Sequence, residues 1–210
     1  MQRTLLTIFM KFLFRLLARM EVHGLENIPA SGGCILATNH LSIVDAPFVF
    51  IHLKRNDITG MVAHKHRKNP FLRIIVNTVN GIWLNREEVD PQAIRAAVDW
   101  LKSGRGLGVA PEGTRSRTGQ LIPAKSGVVY LADKAGVPVI PMAIWGTEKV
   151  FSELKHFRRA TIHLTVGQPM VFPPIERHER DAALQRHTDA LMCQIASMLP
   201  PEYRGVYSNK

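Results

Sequence analysis

Across residues 4–20 the polar positions Thr4, Thr7, Lys11, Arg15 and Arg19 recur at spacings of three and four, and the residues between them are Leu, Ile, Phe, Met and Ala. That spacing gathers the polar groups into one stripe of a 3.6-residue helix and leaves a wide apolar face. Residues 1–20 therefore read as an N-terminal amphipathic helix, with 21–210 forming the domain behind it. A short extended segment, 22–28, is closed by Pro29 and the Ser31-Gly32-Gly33 turn. From there the pattern alternates. Short apolar runs at 34–38, 58–63, 81–85, 106–110, 137–144 and 160–166 predict strands, and the stretches near 47–55, 70–78, 91–103, 125–135 and 176–199 predict helices. Asp90-Pro91 supplies a helix cap and an early proline, and Gly136 supplies a stop. Strands alternating with helices predict an α/β fold: a single domain with a central, mostly parallel sheet flanked by helices and preceded by the amphipathic helix. No internal repeat, low-complexity tract or linker divides it.

At 210 residues the chain is long enough to bury a core without covalent staples. Cys34 and Cys193 lie far apart, with the first in a predicted buried strand, which argues against a disulfide framework and for a reducing, cytosolic setting. A formal net charge of +10 implies an anionic partner: nucleic acid, an anionic membrane surface or a phosphorylated substrate. No helix-turn-helix pattern, paired RNP aromatics or zinc spacing supports nucleic acid. Three charges inside the first helix argue against spanning a bilayer, which takes about 20 mainly apolar residues. Such a helix lies in the interface, its basic stripe toward anionic headgroups, at about 1 kcal/mol per basic residue. The competing reading packs it on the protein's own core. On the first reading the protein is peripheral or monotopic, at the cytoplasmic face of a membrane.

In sheets of this kind ligands bind beyond the carboxyl ends of the strands. After 34–38 comes Asn39-His40-Leu41-Ser42-Ile43-Val44-Asp45. On a regular helix His40 and Asp45 would sit about 140° apart, so they meet only if the chain turns between them. Asp45-Ala46-Pro47, an N-cap followed by a proline, makes that turn plausible. Asp45 would then accept from one ring nitrogen of His40 and leave the other as a general base for an alcohol that attacks a carbonyl. The substrate's own hydroxyl serves as nucleophile. A competing reading makes Ser42-x-x-Asp45 a capping box, with the carboxylate used on the backbone. After 81–85 comes Arg86, and after 106–110 comes Pro111-Glu112-Gly113-Thr114-Arg115-Ser116-Arg117. Hydroxyls, a glycine and a bidentate guanidinium suit a phosphate. Three strand ends thus bring one base and three guanidinium groups toward one crevice. The basic cluster His64, Lys65, His66, Arg67 and Lys68 reads as lipid-headgroup contact, and neither a metal site nor a cofactor is expected.

The order of these blocks, His40-x4-Asp45, then Gly81 to Arg86, then Glu112 to Ser116, then Val137-Pro138-Val139-Ile140-Pro141, resembles the glycerolipid acyltransferases of the 1-acylglycerol-3-phosphate acyltransferase type. The resemblance covers roughly half the chain. It implies transfer of a fatty acyl group from acyl-CoA or acyl carrier protein to the free hydroxyl of a lysophospholipid, lysophosphatidic acid first, giving phosphatidic acid in phospholipid biosynthesis. Within it His40 is the base and Asp45 its orienting partner. Asn39, Arg86, Glu112, Gly113, Thr114 and Arg115 line the substrate site, and Pro138 serves the acyl donor or packing. Because a carboxylate repels phosphate, Glu112 is assigned a hydroxyl or a neighbouring Arg. The oxyanion donor is assigned to a backbone amide near Asn39. Asn85 stands where many members carry an acid, which bears on acceptor choice, and only 39 residues precede His40. The alternatives are a different lysolipid acceptor or a non-catalytic protein that binds anionic lipid.

Overall fold

The computed structural model describes residues 2–85, 88 and 90–208. In chain order the elements are α1 (Gln2–Leu17), β1 (Ala18–His23), β2 (Cys34–Thr38), α2 (Asp45–His52), β3 (Ile58–Ala63), α3 (Pro70–Thr78), β4 (Ile82–Leu84), α4 (Pro91–Lys102), β5 (Gly106–Val109), α5 (Gly127–Ala135), β6 (Val139–Trp145), α6 (Val150–Lys155), β7 (Ala160–Val166) and α7 (Arg180–Ser197). The strands form one sheet in the order β1-β7-β6-β2-β5-β3-β4. Every pairing is parallel except β6 with β7. β7 and β1 therefore run against the other five. Their amino ends lie at the edge where β2, β5 and β6 end.

The expected α/β architecture holds, and burial explains why its centre is legible. In β2, Ile35 and Ala37 belong to the core under α4, α5 and α7, while Cys34 and Leu36 belong to the core under α1, α2 and α6. A strand covered on both faces reads as an unbroken apolar run. Asp90 caps α4 as expected, accepting from the amide of Ala93 at 3.0 Å. Both cysteines are free.

Several boundaries differ from expectation, and one helix was not expected. The first helix ends at Leu17 rather than running to 20, because Ala18–His23 pairs with β7 as the sheet's edge strand. Arg159 donates to the carbonyl oxygens of Arg15 and Ala18, satisfying acceptors that the helix end leaves open. The second helix starts at Asp45 rather than 47, and α6, only six residues long, is too short to produce a periodic signal.

α1 packs one side on the protein's own core and leaves its other apolar positions open. Phe14 is buried edge-on against Phe48, ring centroids 5.3 Å apart, and Met10 packs on the same core. Leu5, Ile8, Phe9, Phe12 and Leu16 stay at least 60 % exposed. Among the described residues no helix is long and apolar enough to cross a membrane.

Gly146, after β6, sits at φ 86, and a Cβ there would collide with the carbonyl oxygen of Thr161. Gly146→Ala is expected to destabilise the fold by about 2 kcal/mol or more, combining left-handed strain with the clash. Urea denaturation measures it.

Candidate active site

Where β2 leaves the sheet the chain is pinned from both sides. Asn39 is fully buried; its amide nitrogen donates to the carbonyl of Ile144 and its amide oxygen accepts from the Ile144 N–H, both at 2.8 Å. That bidentate clamp fastens the exit of β2 to β6. On the other side the loop after β5 holds the His40 backbone: the His40 N–H donates to Glu112 Oε1 at 3.2 Å, and the Ser116 N–H donates to the His40 carbonyl at 2.8 Å.

The turn then closes on Asp45, which is 1 % exposed. Its Oδ2 accepts from the amides of Leu41 and Ser42 at 2.7 and 2.8 Å and meets His40 Nδ1 at 2.7 Å. Its Oδ1 accepts from Thr147 Oγ1 at 2.5 Å. An oxygen already taking two N–H donors acts toward the imidazole as an acceptor. This assigns the ring proton to Nδ1 and leaves the lone pair on Nε2, the tautomer a general base needs. The His40 side chain is 24 % exposed, open enough to meet a substrate. The His40 contact and the backbone contact coexist, since the Ser42 amide and the imidazole share Oδ2, but Ser42 is not the N-cap and the Asp45 N–H donates to the Ser42 carbonyl rather than to its hydroxyl. Asp45 is not itself the N-cap, as expected from Asp45-Ala46-Pro47. It is the first residue of α2, behind Val44, and its carboxylate binds the preceding turn.

Glu112 is 2 % exposed. Burial pushes its carboxyl up to about 8, with the charge of Asp45 acting in the same direction and the amides of His40 and Ile122 opposing both. It is therefore mostly a neutral acid near pH 7. Its Oε1 takes the His40 amide, and its Oε2 is buried without a partner. Gly113 follows at φ 69, where glycine is favoured. The Lys125 side chain runs alongside: a Cβ on residue 113 would lie 3.5 Å from Lys125 Cδ. Thr114 and Arg115 are exposed beyond it. The loop thus presents a hydroxyl, a guanidinium and an ammonium at the edge where His40 stands.

Two expectations are corrected. Asn39 does not line a substrate site, because its side chain is fully buried and committed to Ile144. The amides of residues 40, 41 and 42 are taken by Glu112 and Asp45, so none of them is the expected oxyanion donor. Arg86 lies outside the described residues; next to it, the Asn85 amide donates to Asp90 at 3.0 Å. Sequence reasoning missed Thr147 and Lys125. A polar residue directly after a strand end and a glycine was the available signal for Thr147. Lys125 gave none. Among the described residues no group of three or more His, Cys, Asp or Glu side chains is placed to hold a metal ion.

The sequence matches the family described as Acyltransferase over residues 19–145, a span that holds His40, Asp45 and the 112–116 loop. The chain belongs to that acyltransferase family. It is 30 % identical over 135 residues to the 1-acyl-sn-glycerol-3-phosphate acyltransferase of Borreliella burgdorferi, covering 63 % of this chain and about half, 54 %, of that relative. It is 27 % identical over 192 residues to the enzyme of the same name from Bacillus subtilis, covering 90 % and 92 % of the two chains. The crystal structure of the 1-acyl-sn-glycerophosphate (LPA) acyltransferase PlsC from Thermotoga maritima superposes with a TM-score of 0.68 at 28 % identity, over 90 % of this chain and 79 % of that one.

Two outcomes test this acyltransferase site. Thr147→Val strips a donor from a buried carboxylate and is expected to cost about 1–3 kcal/mol in urea denaturation and to lower kcat with little change in KM. Glu112 binds its proton more tightly folded than unfolded. Its contribution to stability is therefore full below its ordinary value of 4.5 and is lost as pH rises to about 8. The slope is at most about 1.4 kcal/mol per pH unit. Glu112→Gln is expected to flatten that decline, read from urea midpoints across the same window.

Proposed function

We propose that the protein is a 1-acylglycerol-3-phosphate O-acyltransferase at the cytoplasmic face of a membrane. It moves a fatty acyl group from acyl-CoA or acyl carrier protein to the free hydroxyl of lysophosphatidic acid and releases phosphatidic acid. The observation that carries this reading is the His40–Asp45 contact of 2.7 Å, held on the same turn that the 112–116 loop grips through Ser116 and Glu112. Base and phosphate donors therefore belong to one rigid unit.

His40 Nε2 takes the proton of the acceptor hydroxyl as its oxygen attacks the thioester carbonyl. Asp45 stabilises the imidazolium that forms. Collapse of the tetrahedral intermediate breaks the carbon–sulfur bond, and the departing sulfur takes the proton back from His40. No protein nucleophile and no metal enters the scheme. Arg115, with Thr114 and Lys125 beside it, binds the acceptor phosphate and so sets how far from His40 the hydroxyl lies. A neutral Glu112 suits this arrangement, because a second anion next to Asp45 would repel the phosphate. The exposed apolar face of α1, with Lys11, Arg15 and Arg19, keeps the enzyme on the surface that holds its acceptor.

The test follows free-thiol release from long-chain acyl-CoA and lysophosphatidic acid in mixed micelles. His40→Ala is expected to lower acceptor-dependent release by about 10²–10⁴-fold with an unchanged Tm. Arg115→Ala is expected to raise KM for the acceptor and leave that for the thioester in place. Full activity in His40→Ala would remove the dyad from the reaction.

A further inference from the structure

The turn joining α6 to β7 reads Lys155-His156-Phe157-Arg158-Arg159, and acyl transfer makes no use of it. Phe157 breaks two local rules together. Its backbone sits at φ 55, a left-handed conformation that bulky residues enter at a cost. Its ring is 101 % exposed, so no packing within the protein offsets that cost. A single exposed aromatic is ordinary on a protein surface. Its position in the fold makes this one informative.

β7 runs antiparallel to β6, with Trp145 opposite His163, so Ala160 lies beyond the carboxyl end of β6. This is the edge where His40 and Thr147 stand. β1 starts at the same edge, Ala18 opposite Ala160, and α1 ends there at Leu17. Arg159 fastens the turn to that helix end by donating to the backbone oxygens of Arg15 and Ala18. Phe157 lies two residues before that anchor, the helix so fastened carries the exposed Leu5, Ile8, Phe9, Phe12 and Leu16, and Phe151 on α6 is exposed as well. The charge around these rings is basic: Lys11, Arg15 and Arg19 on one side, Lys155, Arg158 and Arg159 on the other. Of the acids on these elements, Glu153 pairs with Arg158 at 2.9 Å and Glu21 with His163 at 3.0 Å.

We infer that the 155–159 turn is a second membrane-insertion point, with Phe157 entering an anionic bilayer next to α1. The inference rests on α1 lying on a membrane, as proposed above. A helix floating in the interface leaves the body of the protein free to roll about the helix axis. A second contact off that axis stops the roll and sets which edge of the sheet faces the lipid. Here it sets the edge on which His40 opens.

The test measures binding of the full chain to vesicles of equimolar phosphatidylcholine and phosphatidylglycerol by co-sedimentation. Removing a lipid-buried phenyl ring is expected to weaken binding about tenfold. Phe157→Gly should do so with a Tm no lower than that of the native protein, since glycine accepts this backbone. Phe157→Trp should retain the affinity, and its added indole emission should shift to the blue on the vesicles. If the native protein binds and Phe157→Gly binds equally well, the second anchor is refuted while the membrane role of α1 survives. A Phe157→Gly variant that loses Tm would make the ring structural and refute it too. Failure of the native protein to bind would overturn the membrane reading itself, and this inference with it.

Discussion

The buried carboxylate of Asp45 holds the site together. An ionised group this far from water is tolerated only when its lone pairs are filled. Here four donors fill them: two amides of its own turn, the imidazole of His40 and the hydroxyl of Thr147. Each donor comes from a different structural requirement. The amides close the turn after β2, Thr147 arrives from just past the carboxyl end of β6, and the imidazole comes from His40 on the turn itself. The dyad is therefore inseparable from the local fold, because one oxygen both shapes the turn and selects the histidine tautomer.

Around that anion the charges are divided. Glu112, on the loop that grips the same histidine, is held neutral by burial and by the nearness of Asp45. Two carboxyl groups placed close together in different surroundings take different protonation states, and so different roles. One meets the imidazole, and the other supports the His40 backbone without adding charge. The cations stay on the exposed rim, at Arg115 and Lys125, where a phosphate can reach them.

What the chain makes legible follows from how local each feature is. β2 is buried on both faces and α4 carries its cap and proline in consecutive residues, so both can be read directly. β1 is an edge strand with one buried face, directly after an amphipathic helix, and its weak alternation merges with the helical pattern. The His40–Asp45 spacing and the Glu112-to-Ser116 loop are short and ordered, so the family and the contact between the two side chains could be read from the chain. The roles of Asn39 and Thr147 were not. Both depend on β6 lying next to β2, and Asn39 meets a partner 105 residues away. The same limit hid Lys125, whose side chain matters only because it runs past Gly113.

In the proposed reaction His40 activates the acceptor hydroxyl directly, with no acyl group passing through the protein. Mixing the enzyme with acyl-labelled acyl-CoA in the absence of acceptor, quenching in acid and counting label on the precipitated protein tests it most directly. No stoichiometric label and no burst of free thiol are expected. A covalent acyl-enzyme formed at the rate of turnover, and discharged when lysophosphatidic acid is added, would contradict it.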